Sequence, residues 1–387
     1  MPTLKPLPDC EGPKLECFSD DIMAHDFKLL TFLGKGCHSV VFKAEIDGKI
    51  YVIKFFFAHS SKNPEYQMAP IDEGYDAIEG ESSVPLVASD TMPQSAIDSL
   101  FMHATSFYNE CRAYGRLKEL SREHLAIKAH GYLRVHLNDQ IREQFTAAMQ
   151  KDTPGCPDVT LDVMMHEDLD VPVMAIVKDW VPDHRLYWYD PEYSPENSRK
   201  VEQRQINHLP RMLRNLRQLH KCGIVVRDLK EVQYYEGQLG DLSHAWTIPH
   251  IFGPESGLRP RWNFASMAAW DLKCFQQMLD DYDDIAREAE PPLKTHNLVA
   301  WRNDQAYGRL RPRPEMHGPF LPMLAYDDPR VWDLKDFPPY DPAEFNWKAA
   351  QKKTKKASTG GVTKKRKTGR MFQTRSKKAK KNGELEL

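Results

Sequence analysis

The sequence lacks the raw material of a disulfide framework. Its seven cysteines are odd in number, widely spaced and never in a C-x-x-C pair, which argues against a stapled secreted scaffold or a zinc knuckle and points to a reducing compartment. It also lacks a membrane span. The strongest apolar run, Tyr51–Ala58, falls far short of the roughly 20 residues a span requires, and it carries Lys54 inside it. The opening stretch Met1–Pro6 has no apolar core, so no secretory signal is expected. None of the fifteen histidines stands in a convincing metal-ligand spacing. Glycine and proline, at 20 and 28 residues, are too sparse and aperiodic for a fibrous or wholly disordered chain. What remains, 387 residues of which 41% are hydrophobic, can bury a sizeable core as one large bilobal unit or two domains.

A net charge of −2 hides a separation. Residues 351–387 hold fourteen Lys/Arg against two acids, a net of +12, and leave −14 on the rest. Such asymmetry implies a nuclear or polyanionic destination. Lys364-Lys365-Arg366-Lys367 and Lys377-Lys378-Ala379-Lys380-Lys381 read as import or polyanion-binding clusters. Contact of 352–381 with nucleic acid would be sequence-independent and salt-sensitive, because only Phe372 is available for stacking. The plainer reading is a solvated tail.

Along the chain, Phe27–Leu30, Ser39–Ala44 and Ile50–Phe55 read as strands, with Asp47-Gly48 as a hairpin turn. Residues 59–104 carry eight acids, one base and little periodicity, the signature of an acidic loop insertion. A helix is predicted over Phe107–Leu120, with Phe107, Cys111, Tyr114 and Leu117 on one face. Strands are predicted at Ala126–Val135 and Val173–Val181, separated by a polar stretch around Lys151–Asp158. Leu209, Leu213, Leu216 and Leu219 form a helical stripe, and Pro210 is expected near that helix's start. A further helix is predicted over Phe264–Leu279.

Five short segments carry chemistry. Gly34-Lys35-Gly36-Cys37-His38-Ser39-Val40-Val41 lies between two strands, where glycines let backbone N–H groups approach phosphate; a tight turn explains Gly34 and Gly36 equally well. Cys37 within it is expected as a small buried filler. Lys54 among strand apolars is an odd choice unless its ammonium meets an anion, the alternative being an edge lysine that snorkels to water. Glu110 on the predicted helix is a possible partner, or an ordinary solvated acid. Val225-Val226-Arg227-Asp228-Leu229-Lys230 and Gly240-Asp241-Leu242-Ser243 follow the leucine-striped helix.

In that order, the set resembles a protein kinase over roughly residues 26–290. The resemblance implies an α+β bilobal kinase-like fold, a small antiparallel β lobe over a mainly helical large lobe. The implied segments are an N-terminal extension 1–25, a small lobe 26–182, a helical lobe 183–320, an extended arm 321–350 and a disordered basic tail 351–387. It implies ATP and Mg2+ as cofactors, with Gly34, Gly36, Ser39, Val41, Lys54 and Glu110 on the nucleotide. Asp228 would take the proton of an attacking hydroxyl, Lys230 would steady the γ-phosphate, and Asp241 with Gln233 would hold metal. Trp270-Asp271-Leu272 resembles the buried aspartate helix of the large lobe, and Pro254-Glu255 the end of an activation segment. Arg227 would pair with a phosphate near Thr247 or satisfy local carbonyls, the second being favoured.

Departures are numerous. Ser39 replaces the third glycine, Val226 the catalytic-loop histidine, and Leu242-Ser243 the Phe-Gly pair. Gln233 stands where asparagine is usual, about 1 Å out of reach, a misplacement that costs roughly 10²-fold in rate. Lys178, by alignment at the back of an adenine pocket, either obstructs it or turns outward. A narrower resemblance lies in Asp241-Leu242-Ser243-His244-Ala245-Trp246-Thr247-Ile248-Pro249-His250, which is similar to the fungal Fta-type kinetochore subunits of the Sim complex. It implies protein partners and a nuclear location. Two functions follow as expectations: ATP/Mg-dependent transfer to protein Ser/Thr hydroxyls, or a catalytically silent pseudokinase scaffold in a kinetochore or chromatin complex.

Overall fold

A computed structural model describes residues 14–19, 21–57, 65–66, 86–87, 102–152, 172–185, 192–250 and 264–301. All belong to the first of two units into which the chain divides, Met1–Trp347; the second, Lys348–Leu387, lies outside the described residues. So do most of the expected acidic insertion 59–104, the arm 321–350, the tail 351–387, and Pro254 and Glu255.

The fold is mixed α+β. Strands β1 (Phe27–Lys35), β2 (Ser39–Ile46) and β3 (Lys49–Phe56) form an antiparallel meander. The predicted turn joins β2 to β3: Asp47 and Gly48 have φ of 51° and 75°, the two positive values a type I′ hairpin requires. Within the acidic insertion, β4 (Glu65–Tyr66) and β5 (Leu86–Val87) make a two-residue ladder. Helix α1 (Ser106–Glu119) follows, then β6 (Ala129–Val135), α2 (Asp139–Asp152) and β7 (Val173–Asp179). The main sheet has the order β1-β2-β3-β7-β6.

Successive side chains of a strand alternate faces, and β3 is covered on both. Ile53 and Phe55 join Phe42, Val177, Ile141 and Phe145 in a core beneath α2. Phe56 and Ile176, on the opposite parity, join the core of α1 and the downstream helices. Phe145 stands 4.8 Å from both Phe42 and Phe55.

Helix α3 (Pro195–Lys221) corrects one expectation. It begins at Pro195, capped by the Ser194 hydroxyl, so Pro210 lies in its interior. An interior proline costs about 3 kcal/mol. Burial of Ile206, Leu209, Met212, Leu213, Leu216 and Leu219 offsets that, at roughly 1.5–3 kcal/mol for each large apolar side chain. After it come β8 (Ile224–Val225), β9 (Tyr234–Tyr235), β10 (Gln238–Leu239), β11 (Trp246–Thr247) and α4 (Phe264–Glu288). Strand β8 pairs with β11, and β9 with β10.

The segment 14–19 is woven into the fold. Leu15 N–H donates to Cys111 O (2.9 Å) and Phe18 N–H to Tyr132 O (2.8 Å), so this strap lies across α1 and the β6 edge. It fits because Gly115 and Gly131 are bare: a Cβ at either would meet backbone of Lys14 at 2.4 Å or of Phe18 at 2.6 Å.

Candidate functional site

Register builds the site. Gly34, Val41, Lys54, Ile176 and Tyr132 are successive partners across all five strands of the main sheet. Lys178, two residues beyond Ile176, shares its face. Helix α1 covers that face and presents Glu110, which is fully buried.

Lys54 Nζ donates to Glu110 Oε2 (3.0 Å) and to Asp241 Oδ1 (2.7 Å). Lys178 is turned inward: its ammonium pairs with Glu110 Oε1, donates to Gly240 O (2.8 Å), and lies 5.2 Å from the centre of the Tyr114 ring. Both lysines are about 95% buried or more, at 4% and 3% exposure, so their charges need these partners. Asp241 Oδ1 also accepts the Ser243 N–H (2.9 Å). Burial alone would raise the Asp241 carboxyl, but chiefly Lys54 holds it well below the usual carboxylate range.

A second group lies beyond β8. Asp271 on α4 is fully buried and accepts the N–H of Val226 (2.7 Å) and of Arg227 (2.8 Å), with His220 Nε2 3.0 Å from its Oδ2. Those bonds hold Arg227 at a φ of 70° and set the loop that carries Asp228. Lys230 pairs with Asp228 Oδ1 (3.1 Å), and Gln233 Nε2 lies 3.4 Å from Asp228 Oδ2. The Gln233 amide oxygen accepts the Lys230 N–H (3.2 Å). Arg227 donates to His244 O (3.1 Å) and stacks 4.2 Å over Trp246, in line with the local-carbonyl alternative; burial brings its guanidinium down to about 9.

The structure thus brings Lys54, Glu110 and Asp241 into one contact group and Asp228, Lys230 and Gln233 into another. His38, at the tip of the glycine loop, packs against Phe56 and His244, near enough to both groups for the charges of Lys54, Asp241, Lys178 and Lys230 to act on its ring. Gly34, within β1, and Gly36 precede that tip, Ser39 is buried, and Val41 sits opposite Lys54. Cys37 is exposed, which corrects the expected filler.

Sequence reasoning missed a clamp on α1. Asn109 donates to Ser243 O (3.1 Å), Arg112 to Thr247 O (3.4 Å) and Pro249 O, and Arg116 to Ile248 O. These carbonyls belong to the stretch after Asp241, so the helix and that stretch are fixed to one another. The signal available was Arg112 and Arg116 at i and i+4.

Of the two residues expected on a metal, Asp241 accepts Lys54 and the Ser243 N–H through Oδ1, and Gln233 accepts the Lys230 N–H through Oε1. Among the described residues, no group of three or more His, Cys, Asp or Glu is arranged to hold a metal ion.

Lys54, Lys178, Glu110 and Asp241 thus form one buried, ion-paired cluster on the sheet face that α1 covers. The chain belongs to the kinetochore Sim4 complex subunit FTA2 family, whose sequence model matches residues 3–246, well over half of its length. No curated protein gives a significant match.

Proposed function

We propose that this chain is a kinase-like subunit of a kinetochore complex that acts through protein partners and transfers no phosphate. Membership in a family of kinetochore complex subunits implies protein partners and a nuclear location. The sheet order, the Lys54–Glu110 pair behind it and the Asp271-anchored loop support descent from a protein kinase.

One observation carries the silent reading: the charges of the site are closed on one another. Three lysines, 54, 178 and 230, meet three carboxylates, Glu110, Asp241 and Asp228. Lys178 is the decisive departure, a second buried cation on the glutamate that a kinase reserves for its strand lysine. That mutual pairing of Lys54, Lys178, Glu110 and Asp241 supports a site that works without a magnesium nucleotide. The intact Lys54–Glu110 pair favours a second reading, residual ATP binding with Lys54 on the phosphates.

A thermal-shift titration with millimolar ATP and Mg2+ separates the two. The silent reading expects no shift, whereas ligand at 100 times its dissociation constant would stabilise by about 2.7 kcal/mol. Radiolabel transfer to itself or to a generic substrate is expected to be equal in the wild type and Asp228→Ala. Labelling lost in that variant would overturn the proposal. For 351–387 we propose nuclear import, tested by deleting it and locating the protein.

A further inference from the structure

We propose that His38 is the side chain that keeps phosphate chains from the Lys54–Asp241 pair, its imidazole standing between the glycine loop and that pair. The inference rests on the silent reading above and explains part of it sterically rather than by charge.

The geometry is specific. The glycine loop between β1 and β2 closes on itself: Gly36 N–H donates to Ser39 O (2.8 Å), so that amide is not offered to a ligand. His38 O accepts the Phe57 N–H (2.9 Å), which pins the residue to the end of β3. From there its ring packs against Phe56 and His244. It lies nearly parallel to Phe56 (centroids 6.3 Å, 17°) and edge-on to His244 (5.0 Å, 84°). Phe56 is also the ring over which Lys54 Nζ sits, at 5.2 Å. His38 and the Lys54 ammonium thus both pack on Phe56, and His38 reaches from the glycine loop to His244, the residue three beyond Asp241.

His38 Nε2 is buried without a hydrogen-bond partner. An unsatisfied buried nitrogen costs stability of its own, so hydrogen bonding does not account for the ring's position. Burial, with Lys54 next in weight, brings its imidazole down to about 4, so a neutral ring stands where a polyanion would seek cations.

The test compares wild type, His38→Ala and His38→Phe by isothermal titration with Mg-ATP and with adenosine, which carries no phosphate. The alanine variant is expected to bind ATP at least tenfold more tightly than wild type, with adenosine unchanged. The phenylalanine variant keeps the layer, is expected to bind like wild type, and melts no lower. Equal ATP affinity in wild type and His38→Ala overturns the inference. If the wild type itself binds ATP, the silent reading falls, while the wild-type-to-alanine ratio still decides the role of His38. Should His38→Ala not fold, His38→Ser gives the same comparison.

Discussion

Glu110→Gln is the most direct probe of the charge network. Removing one partner of a buried pair costs about 3–5 kcal/mol because the other charge is left uncompensated. Two ammoniums lean on Glu110, but they are not equally exposed to its loss. Lys54 keeps a second carboxylate, Asp241 at 2.7 Å, whereas Lys178 keeps the Gly240 carbonyl at 2.8 Å and the face of Tyr114 but no carboxylate. The expected cost is therefore that of one broken pair, about 3–5 kcal/mol, out of a total stability of roughly 5–15. Lys178→Met leaves Glu110 with Lys54 and is expected to cost about 1–3 kcal/mol. The double variant removes the stranded cation together with its partner, so it is expected to be more stable than Glu110→Gln alone. Urea unfolding of all four proteins gives the cycle, provided the m-values agree. Costs that add within about 0.5 kcal/mol would refute the claim that Lys178 depends on Glu110.

Two further outcomes follow from buried geometry. Alanine in a helix normally improves on glycine by about 1 kcal/mol, but Gly115→Ala drives a Cβ to 2.4 Å from the Lys14 backbone. It is expected to destabilise and to speed hydrogen exchange at Leu15 and Phe18; a stabilised variant with unchanged exchange would refute this. The second concerns pH. Burial brings His38 down to about 4 and His103, His244 and His250 well below 6.5, so each is neutral when folded and takes a proton when unfolded in mild acid. The unfolded state then binds more protons below about 6.5, and stability falls as pH drops, by about 2 kcal/mol at pH 5 from His38 alone. Asp241 adds its loss only below the ordinary carboxylate range. Melting temperatures that stay flat from pH 7 to 5 would contradict the neutral-histidine arrangement.

The pair Lys54 and Glu110 was legible because each is conspicuous locally, a cation in an apolar strand and an acid beside the Phe107, Cys111, Tyr114, Leu117 stripe. Lys178 was not, since its direction depends on which strand β7 pairs with. Once Ile176 is opposite Lys54, period-two alternation places Lys178 on the same face. Helix α2 was missed although Ile141, Phe145 and Ala148 have helical spacing; between the two strands only a polar stretch around Lys151–Asp158 was named. Pro210 misled because the rule about proline is local, and the apolar stripe it interrupts is long enough to override it. Arg112 and Arg116 look solvated in a sequence, yet they are 2% and 3% exposed because their partners are main-chain carbonyls more than 130 residues away. Main-chain acceptors leave no mark in composition.

Helix α1 is held from three directions, and that bears on what the fold is good for. Glu110 ties it to the sheet lysines, Asn109, Arg112 and Arg116 tie it to carbonyls of 243–249, and the strap 14–19 closes over Gly115. Hydrogen bonds to charged groups contribute about 1.5–3 kcal/mol each, so moving the helix would break several at once. Kinases regulate themselves by shifting this element, which requires two positions of similar energy. Here a second position has no comparable set of partners. A helix without an alternative is poorly suited to switching and well suited to presenting a fixed surface, where rigidity lowers the ordering cost of association. On the proposed reading, the charges inherited from a phosphate site now serve that rigidity, which is why Glu110→Gln is expected to disturb stability and partner binding together.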